Sequence, residues 1–476
     1  MYKFLRNGFI LTLFCLTASA ASAQSFSADV SPFVRVPAGT IVLTDVKIID
    51  GTGGPAKEHQ SILIQNDRIA AMGNLKEIMA PANATVISCT GKTAIPGLVM
   101  LHEHLYYTSP LEAFFNITEM PFSFPRMYLA AGVTTLRTGG SIEPQTDLNM
   151  KRLIEEGKLT GPDMDVTAPY IERKGFDIPA LNVIKDSAEA AASVLFWSAK
   201  GCTSFKMYMH ATVADLTAVL REAHQRGLKV TGHIGTITYR EAAEAGIDNL
   251  EHGFMASSDF VAGKKPGELD YPAARRALIA LDVNSPQIKD LMQLLINKKV
   301  ALTSTLPVFE PYTGRENVHG GGEDALLPEI KEKLATQWKQ MQNKDSISTG
   351  LFKKELHWEK QFYDAGGLLV AGTDPTGAGR TIAGYSNYRE IELLAEAGFT
   401  PLQAIKICTL NGAVYLGRTK DIGTIAKGKK ADLVLIDGDI EKDIQQIRKT
   451  EIVFKNGVGF DSKKMFESVK GKVGLY

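Results

Sequence analysis

Short apolar runs recur along the middle of the chain, and stretches with helical spacing separate them. The runs cover residues 99–101, 134–137, 164–168, 204–207, 230–233, 249–251, 301–305 and 368–371. Helical spacing is clearest over residues 213–225, 239–245 and 401–416. Eight strands that alternate with helices predict an α/β protein whose residues 96–415 form a (β/α)8 TIM barrel. An open doubly wound sheet is the alternative, but its usual glycine-rich phosphate loop after the first strand is missing.

The two flanks of this region have a different pattern, with β-branched runs and turn residues but little helical spacing. Residues 24–95 and 416–476 therefore predict the two parts of one small β-sandwich domain, built from both chain ends. The long connection over residues 309–361 interrupts the regular barrel pattern. It is either a loop at the barrel mouth that contributes to a substrate site or a surface decoration.

The first residues have the features of an export signal. Lys3 and Arg6 precede an apolar run over residues 9–16, and Ala21-Ser22-Ala23 fits a small-x-small cleavage signal. We therefore expect residues 1–23 to be a signal peptide cleaved near Ala23, which places the mature protein in the periplasm or outside the cell. An uncleaved N-terminal anchor is the alternative.

The overall charge narrows the choice of partner. The chain has 53 basic and 53 acidic residues, without a visible basic stripe. This balance argues against a nucleic acid and, after signal cleavage, against a membrane as the partner. A small-molecule substrate is expected, and assembly into a homo-oligomer stays open.

The first barrel strand ends in two histidines. His102 and His104 are two residues apart, so in a strand their side chains project from the same face, whereas that of Glu103 points away. Two imidazoles that converge in this way can hold a divalent metal ion. The alternative is that they are polar residues that only end a buried strand.

Other residues of the metal-ligand type also stand at predicted strand ends. They are Lys206, His233, His252 and Asp374, which follow the fourth, fifth, sixth and eighth strands. Active sites of barrel enzymes lie at the carboxyl ends of the strands. The repeated placement therefore predicts one shared site.

These motifs, in this order, resemble the amidohydrolase superfamily, in particular its imidazolonepropionase-like and secreted Xaa-Pro dipeptidase-like branch. The matching segments are residues 95–99 with His102-Glu103-His104, 132–137, 205–208, 232–233, 245–253, 371–374 and 423–434. Glu103 departs from the pattern, since relatives more often have a small or neutral residue there.

The resemblance implies two divalent metal ions, with zinc as the expected metal. It implies that His102, His104 and Asp374 hold the more buried ion and that His233 and His252 hold the second. Lys206 resembles a lysine that reacts with CO2 and bridges both ions as a carbamate. The alternative for Lys206 is a salt-bridged lysine in a single-metal site.

The expected mechanism is hydrolysis by a metal-activated hydroxide. Two cations that share a water lower its pKa enough to supply hydroxide near neutral pH. Asp374 would accept the proton and deliver it to the leaving group. Arg137, Tyr170 and Tyr208, at or after strands two to four, are expected to contact the substrate; packing at the barrel mouth is the alternative for each.

Three functions fit the sequence. The first is cleavage of a C–N amide bond in a dipeptide, an N-acyl amino acid or a cyclic amide. The second uses the same binuclear site on a lactone, an ester or a phosphoester. The third is a periplasmic binding protein without turnover, which would have no need of the proton shuttle Asp374.

Overall fold

The computed structural model describes residues 26–74, 76–111, 116–175, 181–315, 321–341 and 346–474. The expected signal peptide lies outside these residues. Within them, no helix has both the length and the apolar character needed to cross a membrane.

The strands are β1 (Val34–Val36), β2 (Thr40–Ile48), β3 (Lys57–Gln65), β4 (Arg68–Asn74), β5 (Thr85–Ser88), β6 (Thr93–Pro96), β7 (Leu98–Glu103), β8 (Tyr106–Ser109), β9 (Asn116–Glu119), β10 (Val133–Thr138), β11 (Asp163–Asp165), β12 (Ile171–Glu172), β13 (Asn182–Val183), β14 (Ser204–Met207), β15 (Lys229–Gly232), β16 (Asn249–Glu251), β17 (Ala301–Ser304), β18 (Leu369–Ala371), β19 (Leu433–Ile436), β20 (Thr450–Lys455) and β21 (Val458–Asp461). The α-helices are α1 (Ser123–Ala130), α2 (Pro144–Glu155), α3 (Ser187–Lys200), α4 (Val213–His224), α5 (Tyr239–Ala245), α6 (Tyr271–Ala280), α7 (Pro286–Asn297), α8 (Leu306–Phe309), α9 (Pro328–Met341), α10 (Ser346–Asp364), α11 (Tyr385–Glu396), α12 (Pro401–Lys406), α13 (Gly412–Tyr415) and α14 (Ser462–Glu467). A π-helical turn (Ile407–Asn411) joins α12 to α13, and short 3-10 turns cover Ser31–Phe33, Glu310–Thr313, Gly377–Gly379 and Ile444–Lys449.

Each of the eight predicted barrel strands coincides with a strand of the structure, and all their ladders are parallel. Strands β7, β10 and β11 form one sheet, and β14 to β18 belong to a second sheet. The third predicted strand is shorter than expected, because after β11 the chain continues only through isolated bridges, from Thr167 to Ser204 and from Pro169 to Ser141. The first and last strands lie side by side, since the amides of Thr373 and Asp374 both donate to the carbonyl of His102. The core is therefore a mixed α/β unit with parallel strands.

Local signals position the helices between these strands. The side chain of Thr212 caps α4 and that of Thr238 caps α5, and each forms a capping box with the acid three residues later. Helix α5 ends at Gly246, whose φ of 97° suits glycine better than other residues. Sharp helix starts of this kind fix where the preceding strand ends, and hence where its last side chain lies.

Both chain ends contribute to a second, nine-stranded sheet, in the order β1-β21-β20-β19-β6-β2-β3-β4 with β5 beside β2. Strand β6 pairs in parallel with β2 and antiparallel with β19. Because β6 joins the two halves, their strands follow one hydrogen-bonded path rather than two separate sheets. The apolar cluster of the nine-stranded sheet includes Ile41 and Leu43 from the N-terminal half and Leu433 and Leu435 from the C-terminal half.

A cluster of charges connects this sheet to the parallel-stranded core. Asp163, at the start of β11, lies 3.1 Å from the amines of Lys430 and Lys455 and 3.6 Å from the guanidinium of Arg418. Burial alone would raise the pKa of Asp163, but the neighbouring lysines outweigh it and hold the pKa well below its usual value. Asp163 is therefore a carboxylate that ties two parts of the fold together.

Candidate metal centre

The histidine pair at the end of β7 has the geometry that strand alternation predicts. The rings of His102 and His104 lie on the same side, with centroids 5.2 Å apart, and both side chains are buried. Glu103 points to the other side, where its carboxylate accepts hydrogen bonds from Thr373 Oγ1 (2.5 Å) and Asn387 Nδ2 (2.9 Å). Burial raises the pKa of Glu103 to about 7. Glu103 thus binds the neighbouring strand end and helix rather than facing the histidines.

Asp374 follows β18 and reaches back to this pair. Its Oδ1 lies 3.1 Å from His104 Nε2 and 3.7 Å from His102 Nε2, and its Oδ2 lies 3.9 Å from His252 Nδ1. Gly372 makes this close approach feasible, because a Cβ there would lie 2.4 Å from that of His102. The approach of β18 to β7 therefore brings the carboxylate among the imidazoles.

His233 and His252, at the ends of β15 and β16, complete the group. Their ring centroids are 4.3 Å apart, and that of His252 is 4.8 Å from that of His102. His252 has a left-handed backbone (φ 68°), and its Nδ1 lies 2.9 Å from Thr305 Oγ1. One possible ligand atom from each of His102, His252 and Asp374 lies within 4.8 Å of the other two. The five predicted His and Asp residues therefore lie at one place.

The protonation states suit a cation. Burial lowers the pKa of His104 and of His233 to about 4 and that of His252 well below its usual value. Burial also lowers the pKa of His102, but the charge of Glu251 and the contacts with Asp374 and Glu251 together outweigh burial and leave a net rise. Burial would raise the pKa of Asp374, yet contacts with His102 and His104 hold it well below its usual value. At neutral pH His104, His233 and His252 are thus neutral imidazoles beside the carboxylate of Asp374, the kind of donor set that zinc prefers.

Two hydrogen-bond details support metal binding. His104 Nδ1 lies 3.3 Å from the carbonyl of Gly140, which leaves Nε2 directed toward Asp374. Within the described part of the chain, neither ring nitrogen of the buried His102 has a well-aligned hydrogen-bond partner. Buried polar atoms normally have partners, and a metal ion would supply one here.

Lys206 lies beside the histidines and is held by an acid that the sequence analysis did not select. Its amine donates to the carbonyl of Gly139 (2.6 Å) and lies 2.7 Å from Glu251 Oε2. Glu251 is fully buried, and its Oε1 accepts from Thr231 Oγ1 (2.9 Å) and lies 3.4 Å from His102 Nδ1. The ion pair corresponds to the alternative state of Lys206, a salt-bridged lysine. An acid inside a barrel strand, directly before a candidate ligand, was the available signal for Glu251.

The predicted substrate contact of Arg137 needs correction. Its side chain is buried and donates to the carbonyl of Leu101 (2.8 Å) and to Asn249 Oδ1 (3.0 Å). Its guanidinium also lies 5.2 Å from the centre of the Tyr415 ring. These contacts hold Arg137 among the strands, outside the cavity lining, because the inward face of β10 points it toward β7 and β16 rather than the mouth.

Tyr170 and Tyr208 do line a cavity above the metal ligands. The cavity has a volume of about 530 Å³, and His104, Lys206, His233, His252 and Asp374 contribute to its wall. The insertion after β17 contributes Tyr312 and Gln337. The five predicted metal ligands in this lining, together with His102, form a centre at the base of the cavity.

The Amidohydrolase family model matches residues 354–460. The chain is 24% identical to an imidazolonepropionase of Geobacillus sp. (strain WCH70) over 425 residues, which cover 84% of this chain and 89% of the relative. It is 26% identical to a 5-methylthioadenosine/S-adenosylhomocysteine deaminase of Moorella thermoacetica over 430 residues, 84% of this chain and 86% of the relative. These similarities are consistent with the amidohydrolase superfamily.

Solved structures share the fold of this chain. A Xaa-Pro dipeptidase with bound methionine in the active site has a TM-score of 0.66 at 20% identity, covering 89% of this chain and 100% of that one. An ochratoxinase of A. niger has a TM-score of 0.62 at 17% identity, covering 89% and 95%. The superfamily assignment and its named relatives make this chain an enzyme of the hydrolase class.

Proposed function

We propose that this amidohydrolase cleaves a C–N amide bond in a small molecule: a dipeptide, an N-acyl amino acid or a cyclic amide. The observation that carries the proposal is the convergence of four histidines, one aspartate and Lys206 below a single cavity. Relatives named imidazolonepropionase, deaminase and Xaa-Pro dipeptidase support the same bond type.

The residues present fit two divalent ions, with zinc as the proposed metal. His102, His104 and Asp374 would hold one ion and His233 and His252 the other, with Lys206 as the bridging carbamate. Such ions supply Lewis acidity and lower the pKa of water. Carbamate formation would require Lys206 to exchange its contact with Glu251 for the ions, and mass spectrometry of the metal-loaded protein would detect the added CO2.

The side chains of the centre have separate tasks. Asp374 is a carboxylate at neutral pH with its side chain 13% exposed to the cavity, so it can take a proton from the attacking water. It would then deliver that proton to the leaving nitrogen. Burial raises the pKa of Tyr170 and Tyr208 above the ordinary value, so both stay neutral hydrogen-bonding groups beside the substrate.

The fold and the location of the enzyme belong to the same proposal. The eight parallel strands would close as a (β/α)8 barrel; the contact between the ends of β7 and β18 supports this closure. Export to the periplasm or beyond, with cleavage near Ala23, rests on the sequence of residues 1–23. N-terminal sequencing of the mature protein would test the cleavage position.

The function is tested with the purified, zinc-loaded mature protein and its Asp374→Asn variant. We expect wild type to hydrolyse members of an amide panel and the variant to lose this activity while retaining its zinc. Asp364→Asn, at an exposed position on α10, is the matched control and should keep full activity. Turnover only of lactones or phosphotriesters would favour the same site acting on another bond. Tight binding of panel members without any turnover would indicate a binding protein instead of an enzyme.

A further inference from the structure

Five tyrosines line the cavity above the metal centre. Tyr106, Tyr170 and Tyr208 form its inner part, and Tyr271 and Tyr312 line it closer to solvent. The hydroxyls of Tyr106 and Tyr170 are 2.8 Å apart, and the rings of Tyr170 and Tyr208 meet edge to face with centroids 5.0 Å apart. The inner rings therefore support one another as a preformed aromatic wall.

Charged groups in the described lining are confined to the metal centre itself. They are Lys206 and Asp374, with the histidines beside them, whereas the outer wall carries tyrosines, aliphatic residues such as Leu181 and Val308, and the amide of Gln337. Arg137, the cation expected there from the sequence, bonds instead to Leu101 and Asn249. The described wall thus offers a substrate no guanidinium or ammonium beyond Lys206.

One guanidinium, that of Arg380, lies behind this wall. Arg380 donates to Gln337 Oε1 (3.1 Å), and its guanidinium lies 5.6 Å from the centre of the Tyr312 ring. It lines a neighbouring apolar cavity with Leu334 and Trp338 rather than the one above the metal ligands. A substrate at the outer wall of the metal cavity would therefore meet the ring of Tyr312 and the amide of Gln337 before the guanidinium of Arg380.

Resting on the proposed amide hydrolysis, we propose that the preferred substrates are neutral amides that place an aromatic ring among these tyrosines, rather than amides with a free carboxylate. Aromatic rings pair favourably edge to face, which is the arrangement that the inner tyrosines already adopt. A carboxylate at the outer wall, away from the metal centre, would lose its water without a guanidinium or ammonium to pair with among the described lining residues. A ring with a short linker fits easily, because a cavity of about 150 Å³ already binds benzene and this one measures about 530 Å³.

Three acetamides that differ by one feature separate charge from shape. N-acetyl-2-phenylethylamine has the ring, N-acetyl-L-phenylalanine adds only the carboxylate, and N-acetyl-2-cyclohexylethylamine replaces the ring by a saturated one. Dissociation constants are measured by calorimetry on the zinc-loaded Asp374→Asn protein, and kcat/KM on wild type. We expect the phenyl amide to bind about tenfold or more tightly than the carboxylate, because a carboxylate that loses its water at the outer wall stays unpaired there, and more tightly than the cyclohexyl amide.

Variants at the outer wall identify the cause. Tyr312→Leu should weaken binding of the phenyl amide, and Tyr312→Phe should retain it. Gln337→Lys adds a cation to the wall and should improve binding of N-acetyl-L-phenylalanine selectively. Arg380→Met should leave the phenyl amide unaffected; if it instead abolishes tight binding of the carboxylate, Arg380 is the anion site and the inference is wrong.

Binding and turnover decide separate questions. Equal or tighter binding of the carboxylate, or no binding of any of the three, overturns the substrate class. Preferential binding of the phenyl amide without hydrolysis of any acetamide by wild type supports the ligand class and counts against amide hydrolysis.

Discussion

Replacing Asp163 by asparagine should destabilise the fold more than any surface ion pair would. Asp163 is the common partner of Lys430, Lys455 and Arg418, and only 20% of its side chain is exposed. Removing the acid takes the ion-pair partner at 3.1 Å from Lys430 and Lys455, whereas Arg418 keeps Asp165. Loss of one partner of a buried pair costs about 3–5 kcal/mol. Because Arg418 is 30% exposed and Lys430 21% exposed, we expect a reduced loss of about 2–3 kcal/mol.

Asp165→Asn is the matched control, two residues further along β11. Asp165 has a similar exposure of 19%, but its ion pair is with Arg418 alone at 3.1 Å. Its replacement should cost about 0.5–1 kcal/mol. Urea unfolding at pH 7, followed by far-ultraviolet circular dichroism, compares the two variants with wild type.

The effect of Asp163 should also depend on pH in one direction. The folded-state pKa lies below the unfolded value of 3.8, so its stabilising contribution is complete above that pH and is lost as the pH falls below it. The gap between wild type and Asp163→Asn should therefore narrow below about pH 4. An equal loss for Asp163→Asn and Asp165→Asn would refute the reasoning, as would a gap that opens only in acid.

Other changes test the remaining parts of the structure. Burial raises the pKa of Glu355, beside Glu359, to about 8, so ionising this side chain in the folded protein costs stability increasingly as the pH rises above the unfolded value of 4.5. Glu355→Gln should therefore raise the melting temperature at pH 8 and change it little at pH 5. Equal shifts of the melting temperature at both pH values would contradict this. Arg137→Met removes hydrogen bonds to a backbone carbonyl and to an asparagine, so it should lower the free energy of unfolding by about 3 kcal/mol and leave KM unchanged. A large rise in KM of the folded variant would instead support the predicted contact of Arg137 with the substrate. Removal of metal by a chelator should lower the melting temperature in calorimetry and abolish hydrolysis, and added zinc should restore both. With free zinc at 1,000 times its dissociation constant, the free energy of unfolding should be higher by about 4 kcal/mol than without zinc. An unchanged melting curve would argue against a bound ion.

The sequence predicted the directions of the side chains at the end of β7, because alternation along a strand is a local property. His102, Glu103 and His104 needed only the direction of one strand, and the apolar run before them marked its end. The same rule does not show how far a long side chain extends within a barrel. Arg137 was therefore placed at the mouth, although its contacts lie among the strands.

Contacts between distant strands could not be predicted in the same way. Glu251 acquires its role from Lys206, Thr231 and His102, which come from three other strands. In a parallel sheet both faces are buried, so polarity alone does not identify the inward residues. The glycine at position 372 is likewise explained only by the approach of β18 to β7.

The pairing of β6 with β19 can form only late in synthesis, because the two strands lie far apart in the sequence. Thr93 lies opposite Ile436, so at about 5–20 residues per second the ribosome needs roughly 20–70 s to make the second strand after the first. During that interval the early strands present open edges, which are ready to pair with other chains. A nascent chain that stalls after α13 would carry the metal ligands yet leave the sheet half built. We expect such C-terminal truncations to aggregate, and holdase chaperones to bind the exposed edges while synthesis continues.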